Sequence, residues 1–165
     1  RTKILFVIAL LTLFSPLVLA DYDVMLPMES TDSGNYAVSG NVAGSEDTNF
    51  LIATGASLST ISRSLFEKIK SHRDVIHVRK IAARLANGKF QRAEVYRISN
   101  FVIGKQCKMA PLEVAVMPSN GRNILGMNAL AMTAPFGLNP QKMALAVSRC
   151  QSPILDAENS LAFVK

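Results

Sequence analysis

From Asn35 to Val147 no apolar pattern runs far before a turn cluster stops it, and this punctuation constrains the fold more than any single residue does. Asn35–Ala43 alternates loosely through Tyr36, Val38 and Val42. Gly44–Thr48 turns, and Phe50-Leu51-Ile52-Ala53 is apolar again within the run Asn49–Thr54. Two such runs read as half-buried strands joined in a hairpin. Asn87-Gly88 separates the run Ile81, Ala83, Leu85 from the run Phe90–Val95. Asn-Gly between strand-like runs is the strongest short-range hairpin signal, because both turn positions accept positive φ. Further strands are expected over Tyr96–Ile103, Leu112–Met117 and Met143–Val147, with Leu161–Val164 an alternative last strand to a tail. The best helix pattern lies over Leu58–Ser71, with Leu65, Phe66 and Ile69 at helical spacing and Ser62 or Ser64 as cap. Met127–Met132 reads as a second, short helix. About eight short strands with one or two short helices predict an all-β, barrel-like fold.

The ends of the chain read differently. Arg1 and Lys3 precede an apolar run, Ile4–Ala20, interrupted only by Thr12, Ser15 and Pro16 and ending in Val18-Leu19-Ala20. A basic start, an apolar middle and a small-residue exit predict a signal peptide over residues 1–20. The alternative is an uncleaved anchor, although the run is short for a span and Pro16 sits near its end. The polar stretch 21–34, with Pro27 and Glu29–Gly34, reads as a linker. Residues 35–150 then form the domain, and 151–165 a C-terminal tail. Export is the expected localisation.

Without Arg1 and Lys3 the formal net charge falls from +6 to +4. The cations at 63, 68, 70, 73, 79, 80, 84, 89, 92 and 97 are scattered, Trp is absent, and no aromatic residues interleave with them. This is a basic surface and not a nucleic-acid footprint. Cys107 and Cys150 both lie in the exported part, where an even pair invites a disulfide; two buried free thiols are the alternative. His72 and His77 are the only histidines and have no metal-ligand spacing. No Ser-His-Asp grouping, phosphate loop or dinucleotide fingerprint occurs, so neither metal nor cofactor is expected.

Three features stand in order: Phe50-Leu51-Ile52-Ala53-Thr54-Gly55-Ala56-Ser57, the tip Ala86-Asn87-Gly88, and Asn123-Ile124-Leu125-Gly126-Met127-Asn128-Ala129-Leu130. The set resembles the bacterial exported branch of the retropepsin-like aspartic proteases. Those enzymes have an apolar strand leading into Asp-Thr-Gly-Ala-Ser, then a flap hairpin, then an apolar pair before Gly. The resemblance covers Asn35–Val147 and implies a closed acid-protease barrel. It places Ala53 at the position of the family aspartate. It makes Thr54 the hydroxyl that ties two active-site loops together, and Ser57 the hydroxyl that bonds the aspartate. Gly55 would let the chain turn tightly. Ala86, Asn87 and Gly88 would form the flap over a substrate cleft, and Ile124, Leu125 and Gly126 would wall the active-site loop from behind. The implied home is a bacterial periplasm.

The departure is chemical. In the family two aspartates meet across a dimer axis, share a proton and activate a water. Alanine can neither hold that water nor move a proton, and each general acid–base group is worth about 10²–10⁴-fold. Asp32, in Thr31-Asp32-Ser33-Gly34, echoes the motif but lacks the preceding apolar strand. Glu46, Asp47, Glu94 and Glu113 are not placed near Ala53 by the sequence. Three readings follow. The first is a pseudoprotease that binds an extended peptide or protein ligand, as a homodimer because only one motif copy is present. The second is an active endopeptidase whose aspartate was replaced by design. The third is a structural subunit of an envelope protein assembly.

Overall fold

A computed structural model describes residues 22–150 apart from 110, 119 and 120. The expected signal peptide, the C-terminal tail and a strand at Leu161–Val164 lie outside these residues.

The described residues form twelve strands: β1 Val24–Ser30, β2 Tyr36–Val42, β3 Thr48–Ile52, β4 Ser59–Ser62, β5 Val75–Arg84, β6 Phe90–Ile98, β7 Phe101–Ile103, β8 Cys107–Lys108, β9 Leu112–Met117, β10 Ile124–Leu125, β11 Phe136–Asn139 and β12 Ala144–Val147. Two short helices, α1 Arg63–Ile69 and α2 Met127–Leu130, complete the set, with a 3-10 turn over Ala131–Thr133. The expected hairpins form. β2 pairs antiparallel with β3 (Val38 opposite Phe50), and β5 pairs antiparallel with β6 (Ala83 opposite Gln91).

Three expectations need correction. The sheet runs β11-β12-β1-β2-β3-β10-β4-β9-β6-β5, with β7 and β8 branching from β2. It is therefore open and not a closed barrel, because β11 and β5 end the path without pairing each other. The stretch read as a linker contains β1. Leu26 and Met28 are buried on alternate positions around Pro27, a short period-2 pattern that the proline and the polar cluster obscured. Val24–Pro27 pairs with β12 and Met28–Ser30 with β2, so the proline sits where the strand changes partner. Finally, the helix begins later than expected. Ser59 and Ile61 are buried in alternation on β4, which runs parallel to β9. Ser62 then caps α1, its Oγ accepting from the Leu65 N–H at 3.2 Å, and Leu65, Phe66 and Ile69 pack inward.

The main core joins Phe50 and Phe101, 5.1 Å apart edge to face, with Leu26, Val38, Ile61, Ile98, Val114, Leu125 and Leu145. A second, much smaller cluster holds Ala93, Val95 and Ala115, with Leu58, Ile81 and Met117 against it. Cys107 and Cys150 are joined in a disulfide that ties the residues after β12 to β8.

Candidate active site

The loop 53–58 leaves the end of β3 and returns as β4, yet β3 and β4 are not neighbours. β10 is inserted between them, parallel to β3 and antiparallel to β4. The Ala53 N–H donates to the Leu125 carbonyl at 3.1 Å and the Leu51 N–H to the Asn123 carbonyl at 2.9 Å. The loop is thus pinned from behind by the apolar pair Ile124-Leu125.

The first turn of α2 closes the loop from below. The Met127 N–H donates to the Ala56 carbonyl at 2.7 Å, and the Asn128 N–H to the Ser57 carbonyl at 3.2 Å. N–H groups in a helix's first turn have no intrahelical partner, and here the loop supplies their acceptors. The approach demands Gly126. A Cβ there would lie 2.7 Å from the Leu58 carbonyl carbon and 2.9 Å from the Ala56 oxygen.

A buried polar network fixes the same junction. The Ser59 N–H and Oγ–H both donate to Asn128 Oδ1 at 2.8 Å, the Gly126 N–H donates to Ser59 Oγ at 3.0 Å, and Asn128 Nδ2 donates to the Glu113 carbonyl at 2.8 Å. Asn123 grips the other end of β4, its Oδ1 accepting from the Ser62 N–H at 2.8 Å. Ser59 and Asn128 were not singled out from the sequence. The available signal was a serine at a core-facing strand position and an asparagine two residues beyond Gly126.

Above the loop lies a cleft of about 980 Å³. Ala53, Gly55 and Ser57 line it from the loop, Ile124 from β10, and Ala115 and Met117 from β9. Ile81 to Ala86 and Gln91 line it from the β5–β6 flap. The expected site residues therefore divide. Ala53, Gly55, Ser57, Ala86 and Ile124 share the cleft. Thr54 is exposed beside it, Asn87 and Gly88 form the exposed flap tip beyond it, and Leu125 and Gly126 are buried behind the loop. Gly88 has φ +80°, as the flap turn requires.

Among the described residues no carboxylate lines this cleft. Asp32 occupies the β1–β2 turn, and Glu46 and Asp47 precede β3. Glu94 accepts from His77 at 2.7 Å and pairs with Lys80, while Glu113 pairs with Arg79 and Arg97. The hydrogen bond from His77 holds the Glu94 carboxyl below its usual range, and that from Arg79 does the same for Glu113. Both acids work at the flap base. His72 and His77 are exposed, and each faces a carboxylate, Asp74 and Glu94.

The family model for aspartyl proteases matches residues 38–129, from β2 through the start of α2. The chain belongs to the aspartyl protease family. A retropepsin-like aspartic protease from Rickettsia conorii superposes with a TM-score of 0.56 at 14% identity, covering 82% of this chain and 100% of that one. Its likeness shows that this family member has the retropepsin-like fold. No curated protein sequence is similar enough to this chain to count as a relative. The matched segment spans the loop at Ala53, the Asn87-Gly88 hairpin and β10.

Proposed function

We propose that this aspartyl protease homologue is inactive as written and binds an extended peptide in the cleft beneath its flap. One observation carries the reading. Ala53 directly follows β3 and lines a cleft that holds no carboxylate among the described residues. The scaffold that positions a catalytic group is retained, while the group itself is absent. Hydrolysis of a peptide needs a base for water and an acid for the leaving amine, and the lining offers neither. Strand addition beneath a hairpin needs only backbone edges and pockets for alternate side chains.

The same reading makes the chain a homodimer. It carries one motif copy, and Thr54, Gly55 and Ser57 are exposed at the end of the loop. Thr54 makes no side-chain hydrogen bond among the described residues, which suits a hydroxyl reserved for a second copy.

The test is peptide cleavage by the chain and by Ala53→Asp between pH 3 and 7, with sedimentation of both. Cleavage by Ala53→Asp alone, from a dimer, supports the reading. Cleavage by the chain as written overturns inactivity. A monomer that binds no peptide and copurifies with envelope proteins favours the structural-subunit role instead.

A further inference from the structure

The charges around the cleft are of one sign. Among the described residues Arg84 and Arg122 are its only charged lining residues. The flap, residues 81–93, adds Lys89 and Arg92 and contains no acid. None of these four cations forms an ion pair among the described residues. The nearby acids are committed elsewhere. Glu94 is taken by His77 and Lys80, Glu113 by Arg79 and Arg97, and Glu67 by Arg63 and Lys70. Neutralisation therefore stops at the flap base, and the flap and the facing loop at Arg122 are left positive. The Arg122 loop is held in place, since its carbonyl accepts from Thr60 Oγ1 at 2.8 Å. Beneath this rim the floor is apolar, formed by Leu58, Met117 and Ile124, with Ile81 of the flap facing the same space.

We propose that the cleft takes an acidic extended peptide, one apolar side chain on the floor flanked by Asp or Glu facing Arg84 and Arg122. This rests on the peptide-binding reading above and names its ligand class. Like-charge rims select by attraction and by rejecting cationic sequences, and the effect weakens with salt.

The experiment is fluorescence anisotropy of the full chain with three labelled peptides: Asp-Glu-Leu-Val-Glu-Asp, its amide analogue Asn-Gln-Leu-Val-Gln-Asn, and its Lys analogue. The acidic peptide is expected to bind about tenfold tighter than the amide at low salt, converging by about 0.5 M. The double variant Arg84→Gln/Arg122→Gln should erase that preference. Arg73→Gln/Arg149→Gln removes the same charge from exposed positions outside the cleft and should keep it. Equal binding of acidic and amide peptides overturns the acidic preference while leaving the peptide cleft standing. Absence of binding by all three overturns both. Loss of preference in both double variants shows only a global charge effect and sinks the local site. Binding of anionic lipid vesicles, lost in the cleft variant, with no peptide binding, reassigns the rim to a membrane surface and likewise overturns the proposal.

Discussion

The main core and the small cluster beneath the flap share strands but not side chains. On β9, Leu112, Val114 and Val116 face the core that holds Phe50 and Phe101, while Ala115 belongs to the other cluster. On β6, Ile98 faces the core, and Ala93 and Val95 face the flap side. Alternation along a strand sends successive side chains to opposite faces, so one sheet supplies both regions. The core face is filled with large residues and sealed. The flap face is thin and rich in alanine, with Ala53, Ala56, Ala82, Ala83, Ala86 and Ala115 along the cleft. Small side chains there leave volume for a ligand. Stability therefore resides mainly on one face and the proposed recognition on the other, and substitutions can separate them.

The largest effect expected is Phe50→Ala. The ring is fully buried against Phe101, and truncation of such a ring costs about 3–5 kcal/mol. Urea denaturation should show a midpoint shift of that size, large enough to unfold a marginal domain. A shift under about 1 kcal/mol would mean that this core can collapse around the hole, and the contrast between the two faces would weaken.

Next in size is Asn128→Ala, which touches the junction between the two regions. It removes the acceptor for the Ser59 N–H and hydroxyl and the donor to Glu113. Leaving buried polar groups unpaired costs about 1–3 kcal/mol each. A double-mutant cycle with Ser59→Ala should recover part of the loss, since the orphaned hydroxyl goes with it. Strict additivity would show that Ser59 and Asn128 act independently, contrary to the shared 2.8 Å contacts.

The reverse case is Ala83→Leu on the flap wall. Ala83 is half-buried and lines the cleft. The added side chain enters open volume, so stability should move by no more than about 1 kcal/mol. Peptide affinity, read by anisotropy, should fall severalfold. Unchanged binding would place the ligand somewhere other than under the flap.

The sequence made some of this division visible and hid the rest for physical reasons. Asn87-Gly88 announced the flap because turn chemistry is local. The order of Ala53-Thr54-Gly55, the flap and Ile124-Leu125-Gly126 announced the family and the loop. β1 stayed hidden because Pro27 mimics a linker. It survives as a strand because its partner changes at that residue. β4 was absorbed into a helix because Leu58–Ser62 carries too few apolar residues to reveal a period, and only the parallel pairing with β9 makes it extended. Asn128 was silent because its role depends on Ser59, 69 residues away. The cleft's charge was also invisible, since it depends on which acids the flap base consumes.

The smallest effect separates the flap base from the cleft by pH. Arg79 donates to the Glu113 carboxylate at 2.6 Å and Arg97 at 3.3 Å, holding that carboxyl below its ordinary value of 4.5. A depressed carboxyl contributes stability that is fully present above the unfolded value and fades as pH falls through the folded one. The contribution should thus be intact at neutral pH and lost progressively below about pH 4.5. Because the pair is near the surface and screened, Glu113→Gln should cost under about 1 kcal/mol at pH 7. The variant and the parent should converge in urea melts at pH 3. A variant that stays equally destabilised at pH 3 would show that Glu113 acts through packing and not through its charge. The flap base would then belong with the main core.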